Sequence, residues 1–63
     1  MKAKDLRTKS IEELRKLAEE LRKKINQLMI DKIMGRLSKP HLLKMTKKDL
    51  ARVLTVINEK KNA

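Results

Sequence analysis

The chain has one glycine and one proline, Gly35 and Pro40, standing five residues apart near its middle. These residue types are the strongest interrupters of helices, so the stretches on either side are free to be helical. The apolar spacing says that they are. Ile11, Leu14, Ala18, Leu21, Ile25 and Leu28 advance in alternating steps of three and four, the spacing of a coiled-coil seam. Leu43, Thr46, Leu50, Val53 and Ile57 do the same beyond the proline. Two helices of similar length joined by about four residues run antiparallel and pack seam to seam.

The ends of these helices are marked as well. Ser10-Ile11-Glu12-Glu13 is a capping box: the Ser10 hydroxyl can accept from the Glu13 amide while the Glu13 carboxylate reaches back to the Ser10 amide. Lys32 interrupts the first seam, and Met29, Ile33 and Met34 let the apolar stripe drift round the helix until Gly35 caps it. Pro40 suits the first turn of the next helix, where its missing N–H breaks no intrahelical bond. The pattern predicts one all-α domain over residues 1–63, with a first helix at 10–34 and a second at 40–60. A short helical turn at 2–8 is expected to fold Leu6 against the open end of the hairpin. Glu12–Lys16, Glu19–Lys23 and Glu20–Lys24 are placed to form i,i+4 pairs on the exposed face. Two seams make a thin core for so short a chain, so it should be marginal alone and completed by a partner.

Charge indicates what kind of partner. Eighteen Lys and Arg face eight Asp and Glu, a net +10. An excess of this size on a small domain is the electrostatic footprint of a polyanion binder. Residues 1–9 carry a net +3, residues 10–34 only +1, and residues 35–63 a net +6. The anion-binding surface is therefore expected on the N-terminal arm and the C-terminal half. The middle of the first helix should face solvent, and its Glu-rich face is left to solvent or protein partners. No Phe, Tyr or Trp is present to stack unpaired bases, which leaves phosphate contact with structured nucleic acid.

On a helical wheel, Leu43, Thr46, Leu50, Val53, Leu54 and Ile57 share one side of the second helix. Lys44, Lys48 and Arg52 run up the opposite side with Lys47 at its edge, and the small residues Ala51 and Thr55 lie among them. Small residues between cations let a phosphate backbone come close. The candidate nucleic-acid-binding residues, which the resemblance given below assigns to RNA, are Lys2, Lys4, Arg7, Arg36, Lys39, Lys44, Lys47, Lys48 and Arg52. No cysteine is present and His41 is the lone imidazole, so a thiolate or His-based metal site lacks ligands. A catalytic role for His41 would need a nucleophile, an orienting carboxylate and a pocket, which a two-helix hairpin does not offer. No catalytic residue, cofactor or small-molecule substrate is expected. Met29 and Met34 lie toward the turn, where they would pack in the core or on a partner. No run approaches the 18 apolar residues of a membrane span, and a cytoplasmic location with no membrane partner is expected.

Over essentially its whole length the chain resembles the bacterial large-subunit ribosomal protein number 29 family. Met1-Lys2-Ala3-Lys4-Asp5-Leu6-Arg7 looks like that family's opening, Ser10-Ile11-Glu12-Glu13-Leu14 like its first helix cap, and Gly35-Arg36-Leu37 like its Gly-x-Leu turn. The most specific stretch is His41-Leu42-Leu43-Lys44, then Lys47-Lys48-Asp49-Leu50-Ala51-Arg52-Val53 and Thr55-Val56-Ile57-Asn58-Glu59-Lys60. The departure is late in the first helix. Where the family has a Phe-Asn-Leu-Arg type run, this chain reads Asn26-Gln27-Leu28-Met29, with neither the aromatic nor the arginine. The resemblance implies an antiparallel α-hairpin on the large ribosomal subunit, bound to its ribosomal RNA near the polypeptide exit. A neighbouring ribosomal protein and nascent-chain factors would be its protein partners.

Three other readings compete. A DNA-reading module would group Arg, Asn or Gln on one exposed face, whereas the stripe here is mainly lysine. A membrane-surface helix would carry Trp or Phe at its apolar edge. A free coiled-coil interaction protein, or a hairpin binding nucleic acid without specificity, fits the seams and the charge.

Overall fold

The computed structural model describes residues 1–62 and contains three helices and no strand among them. Helix α1 spans Ala3–Arg7, α2 Ile11–Ile33 and α3 Pro40–Lys61, in a rod measuring 43 × 17 × 15 Å. Helices α2 and α3 form the antiparallel hairpin, and α1 folds back onto α3 at the open end.

The local signals act as their chemistry requires. The Glu13 amide donates to Ser10 Oγ at 3.2 Å and the Ser10 amide to Glu13 Oε1 at 3.4 Å, which closes the capping box. At the far end of α2, Gly35 adopts φ +71°, a left-handed conformation natural to glycine. Its amide donates to the Lys32 carbonyl at 3.2 Å and the Arg36 amide to the Asp31 carbonyl at 2.7 Å, the paired bonds of a Schellman motif. The side chains of those last two residues are also joined, with Arg36 Nη2 3.7 Å from Asp31 Oδ1. Pro40 is the first residue of α3, as its missing N–H favours.

The core holds Leu14, Ala18 and Leu21 of α2, Val53 and Val56 of α3, and Leu6 of α1, flanked by half-buried Leu17, Leu50 and Ile57. Thr46 is buried in the seam with its hydroxyl donating 2.7 Å to the Leu42 carbonyl, so no polar atom is orphaned there. Leu6 closes the open end, adding a burial worth ~1.5–3 kcal/mol.

Three expectations need correction, and a fourth is narrowed. Leu54, placed with the seam by the wheel, is 39 % exposed, while Val56 is only 1 % exposed. The buried face of α3 turns toward α1 because that helix covers its flank, which a wheel drawn for one partner helix misses. The pairs Glu12–Lys16, Glu19–Lys23 and Glu20–Lys24 are not formed among the described residues; Arg22 takes Glu19 instead, at 3.0 Å across an i,i+3 spacing. Long side chains in water have several carboxylates within reach, and the spacing alone does not choose between them. Ile11 and Leu28, at the ends of the first seam, are only half-buried. Of the two places expected for Met29 and Met34, core or partner, the core is not the one: with Ile30 and Ile33 they stand exposed at the tip, where only two helices meet.

Candidate nucleic-acid interface

The cations divide by position along the rod. Lys44, Lys47 and Lys48 lie exposed on α3, beside the arm that carries Lys2, Lys4 and Arg7. Lys44, Lys48 and Arg52 recur every four residues, so they rise ~6 Å apart along one side of the helix. Arg36 and Lys39 are exposed at the turn, at the opposite end of the hairpin from Arg7. The structure thus joins the arm and the basic stripe into one face and leaves the two turn residues apart from it.

Three polar contacts hold the arm in place. Arg7 donates Nε and Nη2 to the two oxygens of Glu59, at 3.2 and 3.3 Å. The α-amino group of Met1 lies 3.5 Å from Asp49 Oδ1. Arg52 Nη1 donates to the Met1 carbonyl. Asp49 and Glu59 are the only acids in residues 35–63, and each is neutralised by the arm. Docking α1 therefore leaves no unpaired carboxylate on the α3 face, which would otherwise repel phosphate at short range. Hydrogen bonds from Arg7, and then its charge, hold the Glu59 carboxyl below its ordinary range and outweigh desolvation. Glu59 in turn raises the Arg7 guanidinium above its ordinary value.

The small residues lie exposed beside Lys48 and Arg52. Ala51 and Thr55 line an open groove of about 390 Å³ between α3 and α1, together with Ala3, Arg7, Lys48, Arg52, Val56 and Glu59. They do admit a close approach, but the nearest element approaching is α1. The anchoring roles of Met1, Asp49 and Glu59 were missed by sequence reasoning. Two isolated acids within a segment of net +6 were the available signal, since nearby cations are then in excess to pair with them.

On α2 the acids Glu12, Glu13, Glu19 and Glu20 are all exposed, and Asp31 is tied to Arg36 and to the Gln27 amide at 3.0 Å. His41 is exposed at the start of α3. No group of three or more potential metal-ligating side chains occurs among the described residues, and no helix there is long and apolar enough to cross a membrane.

Residues 4–60 match the model of the family described as ribosomal L29 protein. "Large ribosomal subunit protein uL29" of Thermodesulfovibrio yellowstonii is 48% identical over 60 residues, covering 95% of this chain and 83% of the relative. The protein of the same name from Hydrogenobaculum sp. is 46% identical over 61 residues, covering 97% of this chain and 92% of the relative. The one from Spiroplasma citri is 44% identical over 59 residues and far longer, so the match spans 94% of this chain but 17% of that protein. This small, basic, all-helical hairpin, matched from Lys4 to Lys60, belongs to the ribosomal L29 protein family, whose members are structural proteins of the large ribosomal subunit and not enzymes.

Proposed function

We propose that this chain binds large-subunit ribosomal RNA by phosphate contact through the face formed by its N-terminal arm and α3. Lys2, Lys4, Lys44, Lys47 and Lys48 supply exposed ammonium groups, Arg52 and Arg7 border them, and Arg36 and Lys39 reach a second stretch of backbone at the turn. The observation that carries the reading is the neutralisation of Asp49 and Glu59 by the arm, which leaves exposed Asp5, among the described residues, as the one unpaired acid amid the many cations of this face. Its place is the ribosome of the cytoplasm, as for the family. The family resemblance further supports an address near the polypeptide exit, beside a neighbouring ribosomal protein and within reach of nascent-chain factors. The exposed Met29, Ile30, Ile33 and Met34, beside Arg36 and Lys39 at the turn, offer that protein neighbour an apolar surface.

Two measurements test this. Lysine modification on assembled subunits should find Lys44, Lys47 and Lys48 protected and Lys16 and Lys23 reactive; the reverse would put the RNA on α2. With ribosomal RNA fragments, log K against log salt should slope by roughly −3 to −4 from Lys44, Lys47, Lys48 and Arg52 alone. Lys48→Ala should flatten the slope by about one unit without loss of helix. A slope near zero in the unmodified protein would remove the phosphate reading.

A further inference from the structure

We propose that the groove between α1 and α3 receives a single unpaired nucleotide of the bound RNA. This rests on the phosphate-binding reading above and adds a base-sized site to it. The groove, about 390 Å³, is at the small end of the ~300–1,000 Å³ range of ligand clefts. Its surface is apolar where a base would lie: Ala3 on one wall, Ala51 and Thr55 on the other, and the buried Val56 beneath. The Thr55 hydroxyl donates to the Ala51 carbonyl at 2.9 Å, so this residue turns its polar group back to its own helix.

A base also needs a flat partner, and the chain has no aromatic ring. Guanidinium planes are the alternative, since bases stack on arginine as they do on aromatic side chains. Two of them line this groove, and both are held. Arg7 is fixed by its two bonds to Glu59, and Arg52 by its bond to the Met1 carbonyl. A guanidinium already oriented gives up little freedom when a base settles on it. Each Glu59 oxygen accepts one Arg7 N–H and keeps capacity to accept a base amino group or a ribose 2′-hydroxyl. Lys48, also on the groove, can take the adjoining phosphate. Bases inside a duplex cannot enter; a bulged or looped base can.

The test compares an RNA hairpin bearing one bulged adenosine with the same hairpin fully paired, and with free adenosine monophosphate, each titrated against the full chain. The bulged hairpin should bind about tenfold tighter than the paired one, the size of one stacked base. Ala51→Leu and Thr55→Leu fill the groove from exposed helix positions with a good helix former, and circular dichroism checks that both remain helical. Each should bring the two hairpins to equal affinity while leaving the salt slope, which reports phosphate contacts, unchanged. Equal binding of both hairpins by the unmodified protein overturns the site, as does a preference that survives both substitutions. Free nucleotide binding as tightly as the bulged hairpin overturns its assignment to RNA. Loss of all salt-dependent binding is a different result, which sinks the phosphate reading together with the site.

Discussion

The open end and the tip of this hairpin are built from the same two helices, yet they bury their seams to different degrees. At the open end Leu14 is 0 % and Val56 1 % exposed; nearer the tip Ile25 is 9 % and Leu43 8 % exposed. Beyond them Ile33 stands 82 % exposed. The difference is one short helix. Where α1 lies on α3 the core has a third wall and Leu6 to close it; toward the tip two helices face each other and water reaches both flanks. The lesson is that five helical residues set how completely each half of the rod buries its seam. The half they complete is also the half where the arm pairs both acids of α3, Asp49 and Glu59.

The sharpest way to break this contrast is to remove one core side chain from each half. Leu14→Ala opens a cavity in the three-walled end and should cost ~2–5 kcal/mol. That approaches the whole stability of a domain this small, ~5 kcal/mol or less, so the variant should be largely unfolded at room temperature. Ile25→Ala, at an edge where neighbours can close in, should fall at the low end, ~2 kcal/mol. Circular dichroism melts of the two variants compare them directly. Equal losses would mean that α1 adds no core.

Next in size are the two caps of α2, one at each end of the rod. An added Cβ at Gly35 would meet nothing within 4 Å, so Gly35→Ala isolates the cost of the left-handed backbone, ~1–2 kcal/mol. Ser10→Ala removes the acceptor of the Glu13 amide and should cost ~1 kcal/mol. Hydrogen exchange tells where each loss is felt. The Ser10 change should loosen the first turn of α2, and the Gly35 change the turn and the tip. A Gly35→Ala variant that melts like the parent would show that the turn relaxes into another conformation.

Much of this could be read from the residues, and what was legible was local. The capping box, the glycine cap, the proline start and the three-four spacing each lie within one turn of helix, where covalent geometry fixes who meets whom. Leu6 was legible because it is the large aliphatic side chain of the arm. Val56 was not, because α3 has two partner helices and a single-seam wheel allots it one. The candidate interface followed the same division. The cations could be counted from composition, but their joining into one face depends on Met1 meeting Asp49, and Arg7 meeting Glu59 across 52 positions of sequence. No periodicity reports contacts at that range. The exposed i,i+4 pairs failed for the opposite reason: they are local, but too weakly favoured over their alternatives to be decided by spacing.

The smallest expected effect concerns the Arg7–Glu59 pair, and it separates the two halves by pH. Glu59 is held below its ordinary value of 4.5 in the folded chain. The unfolded form therefore takes up a proton first as pH falls, and the stabilisation it gives is whole above 4.5 and lost as pH drops through the lower, folded value. Arg7, raised in the fold, would lose its share only in strong alkali, so the acid limb alone is observable. Both side chains are in water and salt-screened, which makes the effect on global melting slight. It should show instead in local opening. Amide exchange of Leu6 and Lys9, whose N–H groups bond to the carbonyls of Lys2 and Leu6, reports whether α1 is docked. At neutral pH Glu59→Gln should speed that exchange relative to the parent and leave the Met34 amide at the tip unaltered. Below the carboxyl's folded value the parent and the variant should exchange alike, because the parent has lost the same charge. A ratio that stays constant across the titration would show that Leu6, and not the ion pair, holds the arm to α3.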